Sequence, residues 1–398
     1  MKIHIIRTRF FLVVCFMVIS NTNIFGQDSG LCVGNYWTEE EAYLKMKTWS
    51  GEWNDKDSWE KRGDIIKKGV ITGMGLDQMP EIKGHFNPII RNTKLMDGYI
   101  VENIAIESFP GFYVTGNIYR PTKVKGRLPA ILCTHGHKSN RGLTENLQIR
   151  CGSLARMGAI VFAYDMVGMN NIQQVTHHMP ISLLLQTWNS RRVLEYLLSR
   201  EDVDPEQIGM TGESGGATQT LILTALDGRI KVSVPVAQVS GHFFGGCVGE
   251  SGMPIHRSKG HQTNNVEIAA LAAPRPMLLI SDGADWTRNT PIVEYPYIQK
   301  VYALYDAPHK VANVHLPNEK HDYGYSKRAA AYVFFARHLS LSLDNLPYED
   351  RFIESFVTIL PNDQLRVFNQ EYPPPEDMLM GNEAVMNYLN IDLEKVFQ

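Results

Sequence analysis

The 398-residue chain has no block of Lys and Arg, no internal repeat and no low-complexity segment. Its formal charge is −3 and its pI near 6.5, so electrostatics give no basis for nucleic-acid binding. Arg191-Arg192 sits in a helical pattern and reads as solvated face or local ion pairing. Cysteine is scarce, at five residues, and none falls in Cys-x-x-Cys or in Cys/His metal spacing. Neither a metal nor a cofactor is therefore expected. His135 and His137 stand two apart and could ligate an ion, but a structural role beside a turn suits His135 better. No apolar run is long enough to serve as a permanent membrane-spanning helix. What remains is an ordinary globular composition, 44% hydrophobic and 20% charged, with ample apolar surface for a core.

The N-terminus has the layout of a secretory signal peptide. Lys2, Arg7 and Arg9 precede an apolar run from Phe10 to Ile19, and a polar stretch ends at Ile24-Phe-Gly-Gln27. Cleavage after Gly26 would remove three cations and no acid, leaving a mature charge of −6. Cys15 fits a lipid-attachment site poorly, because Val14 stands where a small residue is needed and apolar residues continue beyond it. Cys32, Cys133, Cys151 and Cys247 remain. Export permits a disulfide among them, but spacing names no pair. The expected location is periplasmic or secreted.

Residues 36–75 place Trp, Tyr and aliphatic residues at helical spacing, predicting one or two helices packed on the body. The tryptophans read as packing residues in preference to sugar platforms. From Tyr99 the period changes to two, and Pro110-Gly111 between two alternating runs predicts an antiparallel hairpin. Strand-like runs then fall at 129–134, 159–164, 207–211, 231–237, 277–281 and 312–316. Helix-like segments lie at about 145–157, 182–200, 215–227 and 292–304. Short apolar strands alternating with helices imply a mostly parallel sheet covered on both faces, with the hairpin at one edge. The expected division is 1–26 signal peptide, 27–94 helical extension, 95–345 catalytic domain and 346–398 a tail packed on it.

Residues 212–216 read Gly-Glu-Ser-Gly-Gly, the pattern of a nucleophile elbow. The serine of such an elbow sits on a strained strand-to-helix turn with Oγ exposed, and glycines clear the space around it. The motif alone is weak, but here it follows Gln207-Ile-Gly-Met-Thr211 and precedes a helix-compatible run. Gly249-Glu-Ser-Gly252 is a decoy, since Met253 follows it. Ser214 is thus the candidate nucleophile. The oxyanion donors expected are the backbone N–H of Gly215 and one N–H between Gly136 and Lys138, taken as His137. In this arrangement the acid and then the histidine follow the serine along the chain. That leaves His309, His315, His321 and His338. His315 lies inside an apolar strand run and His338 on a helix, whereas His321 falls in a polar loop after the last strand. The acid should come from Ser281-Asp-Gly-Ala-Asp-Trp286, where Asp285 is preferred to Asp282 because it lies further into the loop.

The segments Thr211-Gly-Glu-Ser-Gly-Gly-Ala-Thr-Gln-Thr220, Asn264-Asn-Val-Glu-Ile-Ala-Ala-Leu-Ala-Ala-Pro-Arg-Pro-Met277, Ser281-Asp-Gly-Ala-Asp-Trp-Thr287 and His321-Asp-Tyr-Gly-Tyr-Ser-Lys-Arg328 resemble bacterial α/β-hydrolases of the acetyl xylan esterase-like group. The resemblance spans roughly residues 90–345. It implies the α/β-hydrolase fold and an exported carbohydrate esterase that removes acetyl or similar acyl groups from polysaccharide glycans. It maps a triad onto Ser214, Asp285 and His321. It also implies Cys-x-Cys-Glu near 247, where this chain has Cys247-Val-Gly-Glu250.

The reading that follows is an exported serine carboxylesterase acting on an oligosaccharide or small-molecule ester. Two alternatives stand beside it: a serine peptidase, since the same triad cleaves amides, and a non-catalytic glycan-binding protein on a hydrolase scaffold. The intact set of serine, acid and histidine favours an enzyme.

Overall fold

The computed structural model describes residues 33–123, 125–137, 143–169, 171 and 173–397. Residues 1–26, expected from the sequence to be a signal peptide, and Cys15, Cys32 and Lys138 lie outside the described residues.

Nine strands form one sheet: β1 Ile89–Leu95, β2 Tyr99–Phe109, β3 Phe112–Pro121, β4 Leu128–Cys133, β5 Ile160–Tyr164, β6 Val203–Glu213, β7 Val232–Val236, β8 Met277–Asp282 and β9 Val311–Leu316. Their order across the sheet is β1-β2-β3-β5-β4-β6-β7-β8-β9. The first three strands and the β3–β5 pair are antiparallel. From β5 to β9 every pair is parallel. The hairpin turns at Gly111, whose φ of 77° is left-handed, and Phe109 pairs with Phe112 across it. β1 has no counterpart in the sequence-based expectation. It is an edge strand whose residues are mostly exposed or half-buried, so it carries little hydrophobic alternation.

Both faces of the sheet are covered, and the period of two decides which residue faces which layer. Val161 and Ala163 of β5 face the helices α3 (Glu145–Met157) and α9 (Tyr325–His338). Ile160, Phe162 and Tyr164 face α4 (Ser182–Ser199) and α5 (Gly215–Leu226).

Residues 36–75 form two helices, α1 (Glu39–Trp49) and α2 (Lys56–Met74), each opened by a capping box: Thr38 with Glu41, and Asp55 with Ser58. Trp37, Trp49, Trp53 and Trp59 are 8%, 7%, 2% and 2% exposed, so they pack as core rather than offering sugar platforms. α2 is tied to the body by Arg62, whose guanidinium forks onto the buried Glu267 carboxylate at 2.6 and 3.1 Å. The C-terminal tail crosses the sheet edge. Asn103 Nδ2 donates to the carbonyls of Gln364 and Arg366, and the last helix, Leu393–Phe397, packs against α2. Among the described residues no helix is long and apolar enough to cross a membrane.

Candidate active site

Ser214 sits between β6 and α5 with φ 54° and ψ −125°. A non-glycine residue in that region carries on the order of 1–3 kcal/mol of strain, held here by the sheet on one side and the helix on the other. Its N–H donates to the Val236 carbonyl of β7, and its carbonyl accepts from Thr218 N–H. The glycines around it are required by close approach. A Cβ on Gly212 would meet Thr134 Oγ1 at 2.1 Å and the Gly216 carbonyl carbon at 2.6 Å. A Cβ on Gly215 would meet the His137 ring at 2.5 Å. The loop after β4 is thus pressed against the elbow, and Thr134 Oγ1 donates to the Gly216 carbonyl at 2.7 Å to hold it there. Gly215, at the first turn of α5, and His137 stand side by side next to Ser214.

His135 is structural. Its Nε2 accepts from Met166 N–H at 3.1 Å, so Nδ1 is the protonated nitrogen and donates to the Gly136 carbonyl at 2.9 Å. Burial holds its pKa below the ordinary histidine value.

His321 lies in the loop between β9 and α9, and its Nδ1 is 2.6 Å from Asp285 Oδ2. Asp285 Oδ1 accepts from both the N–H and the hydroxyl of Thr287 at 2.6 Å, so the carboxylate is fixed at both oxygens. The neighbouring Asp282 is occupied elsewhere. Its Oδ2 accepts from Lys327 Nζ at 2.7 Å, and the same ammonium donates to the Lys320 carbonyl at 2.5 Å. Asp282 and Lys327 are both fully buried, and they brace the backbone one residue before His321. Tyr323 braces it from the other side: its buried hydroxyl is 2.8 Å from Thr211 Oγ1 on β6, and Arg150 stacks over its ring at 4.0 Å. The loop of His321 is thereby tied to the strand that carries Ser214.

The remaining candidate histidines are elsewhere. His315 is in β9 with Nδ1 2.9 Å from Ser281 Oγ, His338 ends α9 against Phe334, and His309 lies in the short turn Pro308–Lys310. The loop after β7 contributes Phe243, which stacks on the half-buried Trp286 at 3.8 Å, and Trp286 in turn lies 4.7 Å from the His321 ring. This aromatic pair walls the histidine. The loop 239–262, with Phe243 in it, is expected from the sequence to shape the substrate side; Trp286 carries no such signal, since a single aromatic in a loop has no periodicity.

A second polar cluster lies on the His137 side. His137 Nε2 is 2.8 Å from His177 Nε2, and Cys247 Sγ is 3.2 Å from the first and 3.3 Å from the second. Burial and the neighbouring His177 push the His137 pKa down to about 4, and burial pushes the Cys247 thiol up to about 12. Cys133, Cys151 and Cys247 are free thiols; Cys133 and Cys151 touch at 3.5 Å without a disulfide.

The fold and the relatives agree. No known family model matches the sequence. The chain is 39% identical to Methylesterase BT1017, with a TM-score of 0.82 over 90% of this chain and 80% of that one. A CE15 glucuronoyl esterase from Teredinibacter turnerae T7901 superposes with a TM-score of 0.53 at 12% identity, over 75% of this chain and 99% of that one, a likeness of fold alone. A protein named Putative hydrolase YtaP from Bacillus subtilis (strain 168) is 27% identical over 236 residues, 53% of this chain and 76% of that protein. A mostly parallel sheet with helices on both faces and a strained serine turn is the α/β-hydrolase fold, and the chain is a carboxylic ester hydrolase. It belongs to the family of Methylesterase BT1017.

Proposed function

We propose that this protein is an exported serine esterase that cleaves methyl esters of carbohydrate acids through an acyl-enzyme on Ser214. The observation that carries the reading is the bond between His321 Nδ1 and a doubly anchored Asp285, in a loop tied to the strand of a strained Ser214. Asp285 fixes the tautomer that leaves Nε2 unprotonated as the base. His321 takes the hydroxyl proton as Ser214 Oγ adds to the ester carbonyl. The oxyanion that forms is met by the N–H groups of Gly215 and His137, aided by the N-terminus of α5. Collapse of the intermediate breaks the bond to the alkoxide, which leaves as methanol with the proton from His321. Water, deprotonated by the same ring, then releases the acid and restores the serine.

Methyl is preferred to the acetyl group expected from sequence because the 39% identical relative is a methylesterase. Export rests on the N-terminal 26 residues read from the sequence. The test is to assay methanol and acetate separately from methyl-esterified and from acetylated oligosaccharides, with wild type and Ser214→Ala. Serine-dependent methanol release is expected. Acetate release alone would return the substrate class to acetyl esters, and turnover undiminished in Ser214→Ala would overturn the mechanism.

A further inference from the structure

We propose that His137, His177 and Cys247 form a binding site for one thiophilic divalent cation of the zinc type, which takes no part in the bond-making steps at Ser214. The three residues come from three loops: after β4, between β5 and α4, and at the start of the short helix Val248–Ser251. Two imidazole nitrogens and one sulfur meet there within 2.8 to 3.3 Å of one another. Nitrogen, nitrogen and thiolate are a donor set for zinc with a fourth position open to water.

Second contacts support the assignment. His177 Nδ1 lies 2.8 Å from the Val167 carbonyl, which can only accept, so Nδ1 carries the proton and the lone pair of Nε2 faces the cluster. Metal-bound histidines are oriented by this kind of bond from their outer nitrogen. The His177 carbonyl is itself held by Ser182 Oγ at 2.6 Å. Glu250 follows Cys247 by one helical turn and is 3% exposed. Its Oε2 accepts from Gly246 N–H, and its carboxyl group also contacts the Cys247 thiol.

The geometry sets the adjustment needed. Bond lengths of about 2.05 Å to nitrogen and 2.3 Å to sulfur place tetrahedral ligands about 3.3 Å (N to N) and 3.5 Å (N to S) apart. Each pair must therefore open by about 0.2 to 0.6 Å, within reach of small side-chain rotations. Binding replaces the thiol proton, which goes to solvent, by the ion; both imidazoles bind neutral and nothing is oxidised or reduced. The ion would clamp the loop that carries the His137 N–H to the two loops flanking it.

The experiment titrates the chelator-stripped full chain with Co2+ and follows the thiolate-to-cobalt charge-transfer band in the near ultraviolet, then displaces the cobalt with Zn2+. One ion per chain with that band is expected in wild type and in Ser214→Ala. Cys247→Ser should lose the band, and His177→Gln should weaken affinity by more than about 100-fold, beyond what loss of an outer contact gives. Absence of the band in folded wild type would overturn the proposal, as would a band that survives in Cys247→Ser, or cobalt bound with no thiolate band.

Discussion

The two sides of the Ser214–Gly215 turn are built differently. On one side His321 is half-buried, bonded to a carboxylate and walled by Trp286. On the other, His137 and His177 face each other and a thiol, with no carboxylate bonded to either ring among the described residues. An imidazole with an acid behind it can accept a proton and hold the resulting charge. A half-buried and a buried imidazole in contact resist protonation, and His137 is pushed down to about 4 accordingly. The first arrangement suits proton transfer. The second suits neutral rings that position a loop or bind an ion. Residue type alone does not separate them; the partner does.

The sharpest way to break this contrast is at the serine. Ser214→Ala should lower kcat by at least about 10^4-fold with the fold intact, measured by methanol release and circular dichroism. Nearly as large is the effect expected at the acid. Asp285→Asn keeps the shape but favours the wrong tautomer of His321, and kcat should fall by about 10^3- to 10^4-fold.

Asp282→Asn sharpens the comparison three residues away. It leaves the Lys327 ammonium buried without its carboxylate, so the expected loss is about 3–5 kcal/mol of stability in denaturant unfolding. At a temperature where the variant stays folded, kcat should fall less than about tenfold. A loss in Asp282→Asn matching that in Asp285→Asn would mean the two aspartates do not divide the work.

The smallest effect concerns pH. Glu294 accepts from Gly241 N–H beneath the loop that carries Phe243, and burial raises its pKa to about 7. The folded state then keeps a proton that the unfolded chain loses near pH 4.5. Stability from this group falls as pH rises from about 4.5 to about 7 and is level above. Glu294→Gln, which keeps the acceptor, should flatten that slope and raise stability at pH 8 by on the order of 1–3 kcal/mol, read from unfolding midpoints at pH 5 and pH 8.

Much of this architecture was legible in the sequence. Strands β4, β5, β7 and β8 fall within a residue or two of the apolar runs, because a strand buried on both faces must be apolar throughout; the half-buried edge strand β9 matches its run as well. β6 begins earlier than its apolar part, at Val203, through half-exposed residues that show no run. The Gly-Glu-Ser-Gly-Gly turn was readable because the glycines answer local crowding, as at Gly212. The sequence favours Asp285 over Asp282 only by its place in the loop; the physical division, with the buried Lys327 of α9 occupying Asp282, depends on packing. The meeting of His177 and Cys247 with His137 left no trace either. They lie 40 and 110 residues from His137, and only the packing of three loops joins them.

The central claim is that the strained serine is the nucleophile. The direct test is reaction with a fluorophosphonate ester, followed by intact mass and peptide mapping. The account predicts one phosphonyl group per chain, on Ser214, with labelling greatly slowed in Asp285→Asn and absent in Ser214→Ala. A label on another residue, or an unlabelled folded protein that still hydrolyses its ester, would contradict it.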